Sequence, residues 1–354
     1  MRITNKMVTN RYIRSLGTLS SDLDRLNTQV SSGRKFLKSS ENTSAAIRAY
    51  KIRRDMSKVE GYQANIDHAK DFLSNSESAL FHIQELMHTA RDKILIALNG
   101  TASQDERNIV ATELRNIQDQ LVQTLNSNVS DVFLFGGTNT DTRPFEVVDG
   151  KLVYNGSDLD VNLDLSTVES GSVEEEAMIA LIDKFNGLTK DSRYIDIGLN
   201  LNFDPATGNT GSVDKSTVFC YSVPGLNITG YGTTEIDGKK VSDNLYNLLG
   251  EMVTELESDN HSHDNLNSLF GHFTSVSSNI LSNITGIGSK TSYLEFMTER
   301  IETRTLNLQE SQLNTEGADP VKSIIHFKSQ EMAYNAALQM GTRIIQPSIF
   351  DFMS

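Results

Sequence analysis

The residues from Gly286 to Thr291 are of the types that could bind a phosphate group. They read Gly-Ile-Gly-Ser-Lys-Thr, and a glycine-rich loop ending in lysine and a hydroxyl residue can cradle phosphates through its backbone amides. The lysine, however, follows Ser289 rather than a glycine, and no strand pattern leads into the segment. The segment also lies inside a repeating apolar pattern typical of a helix. The sequence therefore argues against a nucleotide site here.

Three histidines, His261, His263 and His272, could be metal ligands, because neutral imidazole is a common ligand of zinc. They fall in or after a polar break around residues 258–265, and their spacing does not force them to converge. A solvated linker is the simpler interpretation. No Ser, His and Asp set stands out either. We therefore predict no metal site, no cofactor and no catalytic residue, with an enzyme or binding module in residues 138–240 as a distant alternative.

Charge is unevenly distributed along this chain of 354 residues, which carries a net charge of −14. Residues 1–56 contain 12 Lys or Arg and four acidic residues, whereas residues 130–260 contain eight and 23. The basic residues are spread singly along a predicted helix, and the whole chain is acidic, so we predict no binding of nucleic acid.

Cysteine content and hydropathy limit the possible cellular locations. Cys220 is the only cysteine, so no intrachain disulfide can form. No run approaches 18 apolar residues, and the N-terminus lacks the apolar core of a cleaved signal peptide. We therefore expect no membrane insertion, and a protein that is either cytosolic or exported by a route that reads no such signal.

Two long apolar seams predict a pair of helical rods. The first rod, residues 45–98, has an apolar residue at every seventh position from Ala45, and the second has the same spacing from Ile280. Heptad spacing predicts helices that bury one side against a partner, and the two rods can pack on each other. The predicted rod core is Ile52, Val59, Ile66, Leu73, Leu80, Met87, Ile94, Ile280, Ile287, Leu294, Ile301 and Leu308.

Narrow apolar stripes mark both ends of the chain. The first follows a coiled-coil spacing from Tyr12 to Val30 and its helix ends at Gly33. The last helix, about 319–345, opens with Asp319-Pro320 as its cap and first residue. Little intrachain surface remains to cover these stripes, so we predict that they contact other copies and become ordered on assembly. The predicted assembly interface is Tyr12, Leu16, Leu19, Leu23, Leu26, Val30, Ile324, Phe327, Tyr334, Leu338 and Ile345.

The middle of the chain changes character. From Thr138 to about residue 240 the signals are turn dipeptides and short apolar runs, including an Asp149-Gly150 hairpin and one helix over 174–188. The segment 194–236 is expected to form strands, broken by turn dipeptides at 204–205, 207–208 and 224–225. Helical periodicity returns at Val241. We predict a mainly α fold with an inserted β-rich domain and long antiparallel helical rods from both chain halves. The predicted segments are 1–44 (assembly helix and loop), 45–137 (rod), 138–240 (β-rich), 241–318 (rod) and 319–354 (assembly helix).

Several of these segments resemble the flagellin superfamily. The similarity lies in Ser-Ser-Gly-Arg-Lys at 31–35, the loop 39–46, and segments 287–295, 307–312 and 318–319. Three further segments are more similar to the proteins that join hook and filament than to flagellin itself. They are the start 1–4, the segment Leu-Phe-Gly-Gly-Thr-Asn-Thr-Asp-Thr-Arg-Pro-Phe at 134–145, and the ending 348–353. The loop is poorer in Asp and Pro than is usual in the family, and Pro347 interrupts the terminal helix.

The resemblance implies a role that agrees with the apolar stripes. It implies terminal helices paired inside a tubular wall, rods in the next shell and an outward β-rich domain. It further implies export through the flagellar channel, an export chaperone, and assembly as a homo-oligomeric ring between hook-associated protein 1 and flagellin. The expected location is therefore the extracellular flagellum. A flagellin that forms the filament itself remains the alternative.

Overall fold

The computed structural model describes residues 5–99, 103–163, 172–202, 213–259 and 261–344. It confirms a mainly α fold with a small β-rich insertion. The helices are α1 (Asn5–Ser32), α2 (Thr43–Leu98), α3 (Gln104–Leu125), α4 (Val173–Thr189), α5 (Leu226–Thr229), α6 (Leu245–Glu257), α7 (His263–Glu316) and α8 (Pro320–Ile344). The chain forms two compact units, a terminal unit of Met1–Gly61 with Ile301–Ser354, and a central unit of Tyr62–Arg300.

The core of the central unit lies along α2 and α7. Met87 and Ile280 line one small cavity, while Phe72 of α2 and Lys290 of α7 both contact the segment 220–222. Phe72 is thus on the same level as Lys290, and Met87 on the same level as Ile280. Residue numbers rise along α2 where they fall along α7, so the two helices run antiparallel. The seam residues Ile66, Leu73, Leu80, Met87, Ile94, Ile280, Ile287 and Leu294 are all buried.

Polar contacts hold helix α3 at its start and near its middle. The capping box expected at its start is present, because the Ser103 hydroxyl accepts from the Glu106 amide and the Glu106 carboxylate accepts from the Ser103 amide. Further along, Arg115 forms a bidentate ion pair with Glu257 at 2.5 and 2.6 Å, and α3 packs beside α6. These contacts join elements from the two halves of the sequence.

The β-rich region consists of short antiparallel strands. The strands are β1 (Asn128–Val129), β2 (Val132–Phe133), β3 (Phe145–Val148), β4 (Lys151–Tyr154), β5 (Ser157–Asp158), β6 (Tyr194–Ile195), β7 (Phe219–Cys220), β8 (Thr233–Ile236) and β9 (Lys239–Ser242). β3–β4–β5 form a three-stranded sheet, and β1–β2, β6–β7 and β8–β9 are two-stranded. The β3–β4 hairpin pairs Val148 with Lys151 across the predicted Asp149-Gly150 turn.

Two details of this region differ from the sequence-based expectation. Val241 belongs to strand β9, where it pairs with Thr234, and the helix begins only at Leu245, capped by Asn244. A buried strand residue directly before an amphipathic helix extends its apolar pattern by a few positions, which explains the error. The segment 194–236 contains the short helix α5 as well as strands. The turn signals at 204–205 and 207–208 lie outside the described residues.

Candidate assembly surface

The terminal unit brings the two ends of the chain together as an antiparallel helix pair. The Tyr12 hydroxyl near the start of α1 donates to the carbonyl of Ala337 near the end of α8, at 2.9 Å. The other ends of the same helices meet where the Ala318 amide donates to the Gly33 carbonyl, at 2.8 Å. Gly341 lets the Tyr12 ring approach, since a Cβ at this position would lie 2.7 Å from the ring atom Cζ.

The loop between α1 and α2 is held against the junction between α7 and α8. The Lys35 amide donates to the Glu316 carbonyl at 2.7 Å, and Arg34 forms a β-bridge with Gly317. The Glu316 carboxylate is almost fully buried and forms an ion pair with Arg53 at 2.5 Å. Gly33 has a φ of +65°, which ends α1 and turns the chain into the loop. These contacts fix the direction in which α1 leaves the loop.

A groove of about 600 Å³ lies beside this junction. Leu26 and Gln29 of α1 and Leu313 and Asn314 of α7 line it together with the first residues of α8. The Asp319 side chain caps α8 there by accepting from the amides of Val321 and Lys322, at 3.0 and 3.2 Å. The cap and Pro320 at the first helical position are those expected from the sequence.

The predicted α1 stripe faces α8 of the same chain, but it is only half covered. Tyr12, Leu16, Leu19, Leu23 and Leu26 are each partly buried, and Val30 is exposed. On α8, Phe327 and Tyr334 are partly buried, whereas Ile324 and Leu338 are exposed. The expectation that little intrachain surface covers these stripes is therefore correct only in part, because each helix covers the other. Ile345 lies outside the described residues.

A second apolar face of α8 is not evident from the predicted stripe. Val321, Ile325, Met332 and Met340 are all exposed, and their spacing of four, seven and eight residues places them on one side of the helix. The covered positions Phe327, Tyr334 and Gly341 follow a separate seven-residue spacing. Helix α8 therefore presents apolar side chains both to α1 and to the surrounding solvent. We call the solvent-facing set Val321, Ile325, Met332 and Met340 the outer face of α8.

The predicted rod core is mostly buried in both units. The eight central residues named above are buried, and so are Val59 and Ile301 in the terminal unit. Ile52 and Leu308 are only partly buried. The seam therefore becomes less covered toward the end of each rod that belongs to the terminal unit.

The residues first considered for chemistry do not assemble into a reactive site. Gly286–Thr291 lies within helix α7, so it forms no phosphate-binding loop. His263 is exposed, but the solvated interpretation is wrong for the other two histidines, because His272 contacts Asp243 at 2.7 Å and His261 lies 3.9 Å from Glu255, with little exposure. Within the described ranges, no three His, Cys, Asp or Glu side chains are grouped closely enough to hold a metal ion.

Burial raises the pKa of several groups in the central unit. Burial raises the pKa of the Glu251 carboxyl, and its Oε1 accepts from the Ser242 amide at 3.1 Å. Burial also raises the pKa of Tyr154, whose hydroxyl donates to the Phe135 carbonyl at 3.0 Å. Both groups are held by backbone contacts. Their positions indicate a structural role.

None of the helices, over the parts of the chain that the structure describes, is long and apolar enough to cross a membrane.

Sequence comparison finds that the N-terminal part of the chain is similar to a known family. Residues 3–140 match the model of the bacterial flagellin N-terminal helical region. Flagellar hook-associated protein 3 of Salmonella typhimurium is 29% identical over 162 residues, covering 46% of this chain and 50% of that protein. The Escherichia coli protein of the same name is 26% identical over 167 residues, covering 47% and 53%. The chain thus aligns with about half the length of the curated relatives it matches.

Solved structures share the fold of this chain. A Vibrio parahaemolyticus protein described as a flagellar hook-associated protein aligns with a TM-score of 0.58 and 20% identity, covering 78% of this chain and 100% of that one. Hook-associated protein 3 of Legionella pneumophila aligns with a TM-score of 0.53 and 14% identity, covering 74% and 97%. Residues 3–140 are therefore similar to the helical region of the bacterial flagellins, and the resemblance of the chain to hook-associated protein 3 is confirmed.

Proposed function

We propose that this protein is a structural component of the bacterial flagellum, placed at the junction between hook and filament. Copies assemble through their helical ends into a ring that adapts hook-associated protein 1 on one side to flagellin on the other. The protein is exported without a cleaved signal peptide, with the help of a flagellar export chaperone, and it catalyses no reaction. The named relatives support the flagellar location.

One observation carries this proposal: the terminal unit pairs both chain ends but leaves apolar side chains uncovered. Val321, Ile325 and Met332 lie on the outer face of α8, and the α1 stripe is only half covered. Exposed apolar faces of this kind mark surfaces that bind another protein. Coverage by neighbouring copies would complete the burial that the α1–α8 pair begins.

The proposed interface comprises the predicted residues together with the outer face of α8. Tyr12, Leu16, Leu19, Leu23, Leu26, Val30, Phe327 and Tyr334 contribute to the α1–α8 pair or its edges. Ile324, Leu338 and the outer face of α8 would then meet neighbouring copies. The five predicted segments stay as proposed, with 138–240 as the region that faces away from the ring axis.

Immunogold labelling of isolated flagella tests the location. A single short band at the tip of the hook is expected, whereas label along the whole filament would identify the protein as a flagellin. Label absent from flagella would overturn the proposal.

A variant pair tests the role of the outer face of α8. Met332→Asp should leave a folded monomer but reduce motility, because a charge cannot be buried between copies without a partner. Ser74→Asp is the matched control, since it also adds one negative charge to an exposed helical position, on α2 in the central unit and outside the proposed interface. Equal motility of the two variants would show that the outer face of α8 remains exposed to solvent in the assembled flagellum.

A further inference from the structure

The part of α2 in the terminal unit exposes a face that is both apolar and basic. Ile47 and Tyr50 are 55% and 74% exposed, and Lys51, Arg54 and Lys58 stand exposed on the same side of the helix. The ion pair recorded on this face is between Arg54 and its neighbour Asp55, at 3.3 Å. An exposed tyrosine beside basic side chains is typical of residues that anchor protein interfaces. We call these five residues the basic face.

The part of α7 in the same unit exposes a face of opposite charge. Leu306 and Leu313 are 65% and 69% exposed, and Glu302, Gln309 and Glu310 are exposed on the same side. From Glu302 to Leu306, from there to Gln309 or Glu310, and from there to Leu313, each step is three or four positions. These residues therefore form one continuous stripe on the helix. We call these five residues the acidic face.

We infer that the basic face of one copy docks on the acidic face of a second copy of this chain. Each face covers 12 residues, so its end residues are 11 positions apart and each face is a strip of roughly 16 Å at 1.5 Å per residue. The strips match in length, carry opposite charge and each hold two large exposed apolar side chains. This inference rests on the proposed function, and it specifies which surfaces join neighbouring copies in the ring.

The order of residues along the two faces favours an antiparallel alignment. In that register Ile47 meets Leu313, Lys51 lies opposite Gln309 and next to Glu310, Arg54 lies over Leu306, and Lys58 meets Glu302. A parallel alignment would instead place Ile47 on Glu302 and both lysines on leucines. Only the antiparallel alignment pairs two apolar residues at one end and a lysine with a glutamate at the other.

Because the two faces lie on different helices, copies can join head to tail, with the basic face of one copy on the acidic face of the next, which is a heterologous contact. A heterologous contact leaves one free face of each kind after every addition, so copies can continue to add until a ring closes. A symmetric dimer, in which a face meets itself, is disfavoured because it would bring like charges together. The geometry of complementary faces therefore suits a ring better than a pair.

A charge-reversal experiment on the full chain tests the docking. Lys51→Glu with Lys58→Glu gives one variant, and Glu302→Lys with Glu310→Lys gives the other, so each alters two exposed side chains and leaves the buried seam intact. Each variant alone should associate about tenfold or more weakly than the parent chain at low salt, measured by analytical ultracentrifugation. A mixture of the two variants should recover association, since each then offers the face that the other lacks.

Cross-linking between two single-cysteine chains tests the register. In a Cys220→Ser background, a chain with Ile47→Cys is mixed with one carrying Leu313→Cys and treated with a short bis-maleimide. A cross-linked heterodimer is expected for this pair and for Lys58→Cys with Glu302→Cys. The mismatched pair Ile47→Cys with Glu302→Cys is the control and should yield at least tenfold less product. Equal yields from matched and mismatched pairs, or none at the highest soluble concentration, would overturn the inference.

The outcomes separate this inference from the proposed function. If the charge-reversed chains still self-associate like the parent chain, while the parent chain labels the hook tip, then the proposed docking faces are wrong and the junction role stands. Loss of the mixture's recovery would also overturn the docking, since another partner of the basic face, such as an acidic surface of a different protein, would not restore association between copies. Labelling along the filament would refute the junction role without affecting the cross-linking result.

Discussion

The contact between Tyr12 and Gly341 offers a quantitative test of the α1–α8 pair. Gly341 lies inside α8, where alanine is normally favoured over glycine by about 0.8–1.0 kcal/mol. A Cβ at this position would come within 2.7 Å of Cζ and 3.1 Å of Cε1 in the Tyr12 ring. The ring would therefore have to move, and its 2.9 Å hydrogen bond to Ala337 would break.

The expected size of the effect follows from these opposing terms. The hydrogen bond contributes about 0.5–1.5 kcal/mol, so its loss with some ring packing should cancel or exceed the helix-propensity gain. In a Tyr12→Ala background the obstacle is gone, and Gly341→Ala should stabilise α8 by about 1 kcal/mol. The double-mutant cycle should thus show a coupling free energy of about 1–2 kcal/mol between the two positions.

Hydrogen exchange of the α1 and α8 amides, followed by mass spectrometry, measures this local stability. Gly17→Ala is the control, because a Cβ at Gly17 meets no atom within 4 Å and should stabilise α1 in either background. If Gly341→Ala protects the amides as much as Gly17→Ala does while Tyr12 is present, the helix pairing described here is wrong.

Three further predictions concern stability elsewhere. Leu73→Ala, at a fully buried seam position, should lower the free energy of unfolding by about 2–5 kcal/mol in urea titrations, whereas Leu306→Ala on the surface should change it by less than about 0.5 kcal/mol; similar losses would contradict the buried seam. Burial raises the pKa of Glu251, so the folded chain holds this proton more tightly than the unfolded chain, and stability should fall as pH rises through the raised value. Glu251→Gln should therefore raise the melting temperature more at pH 8 than at pH 4, and a uniform shift would refute this cause. Gly225→Ala should be destabilising, since its Cβ would lie 2.5 Å from the Phe145 ring, and an unchanged melting temperature would show that the ring can move away freely.

Local sequence signals predicted the helices and their ends well. The seven-residue spacing from Ile66 to Ile94 gave the buried side of α2, and Ser103 with Glu106 gave the start of α3. Asp149-Gly150 gave the β3–β4 turn. Each of these signals acts between residues close in sequence, so the chain itself contains the information.

Long-range pairing was harder to predict. The partly buried Tyr12 stripe read as an interface between copies because nothing in the sequence shows that α8 of the same chain lies against it. The exposed residues Val321 and Met332 were missed because apolar residues occur on both sides of α8, and periodicity alone does not tell which side is covered. His272 was assigned to solvent for the same reason, since Asp243 is distant in sequence.

The bridge between Arg34 and Gly317 also bears on the order of folding. Its neighbouring contact, from the Lys35 side chain to the Asn314 carbonyl, closes a sequence separation of 279 residues. When a chain emerges with its N-terminus first, α1 cannot pair with α8 until nearly all of the chain has emerged. The terminal unit must therefore be the last part to take shape, well after residues 62–300 can collapse on themselves. Until then, α1 is accessible for binding by another molecule.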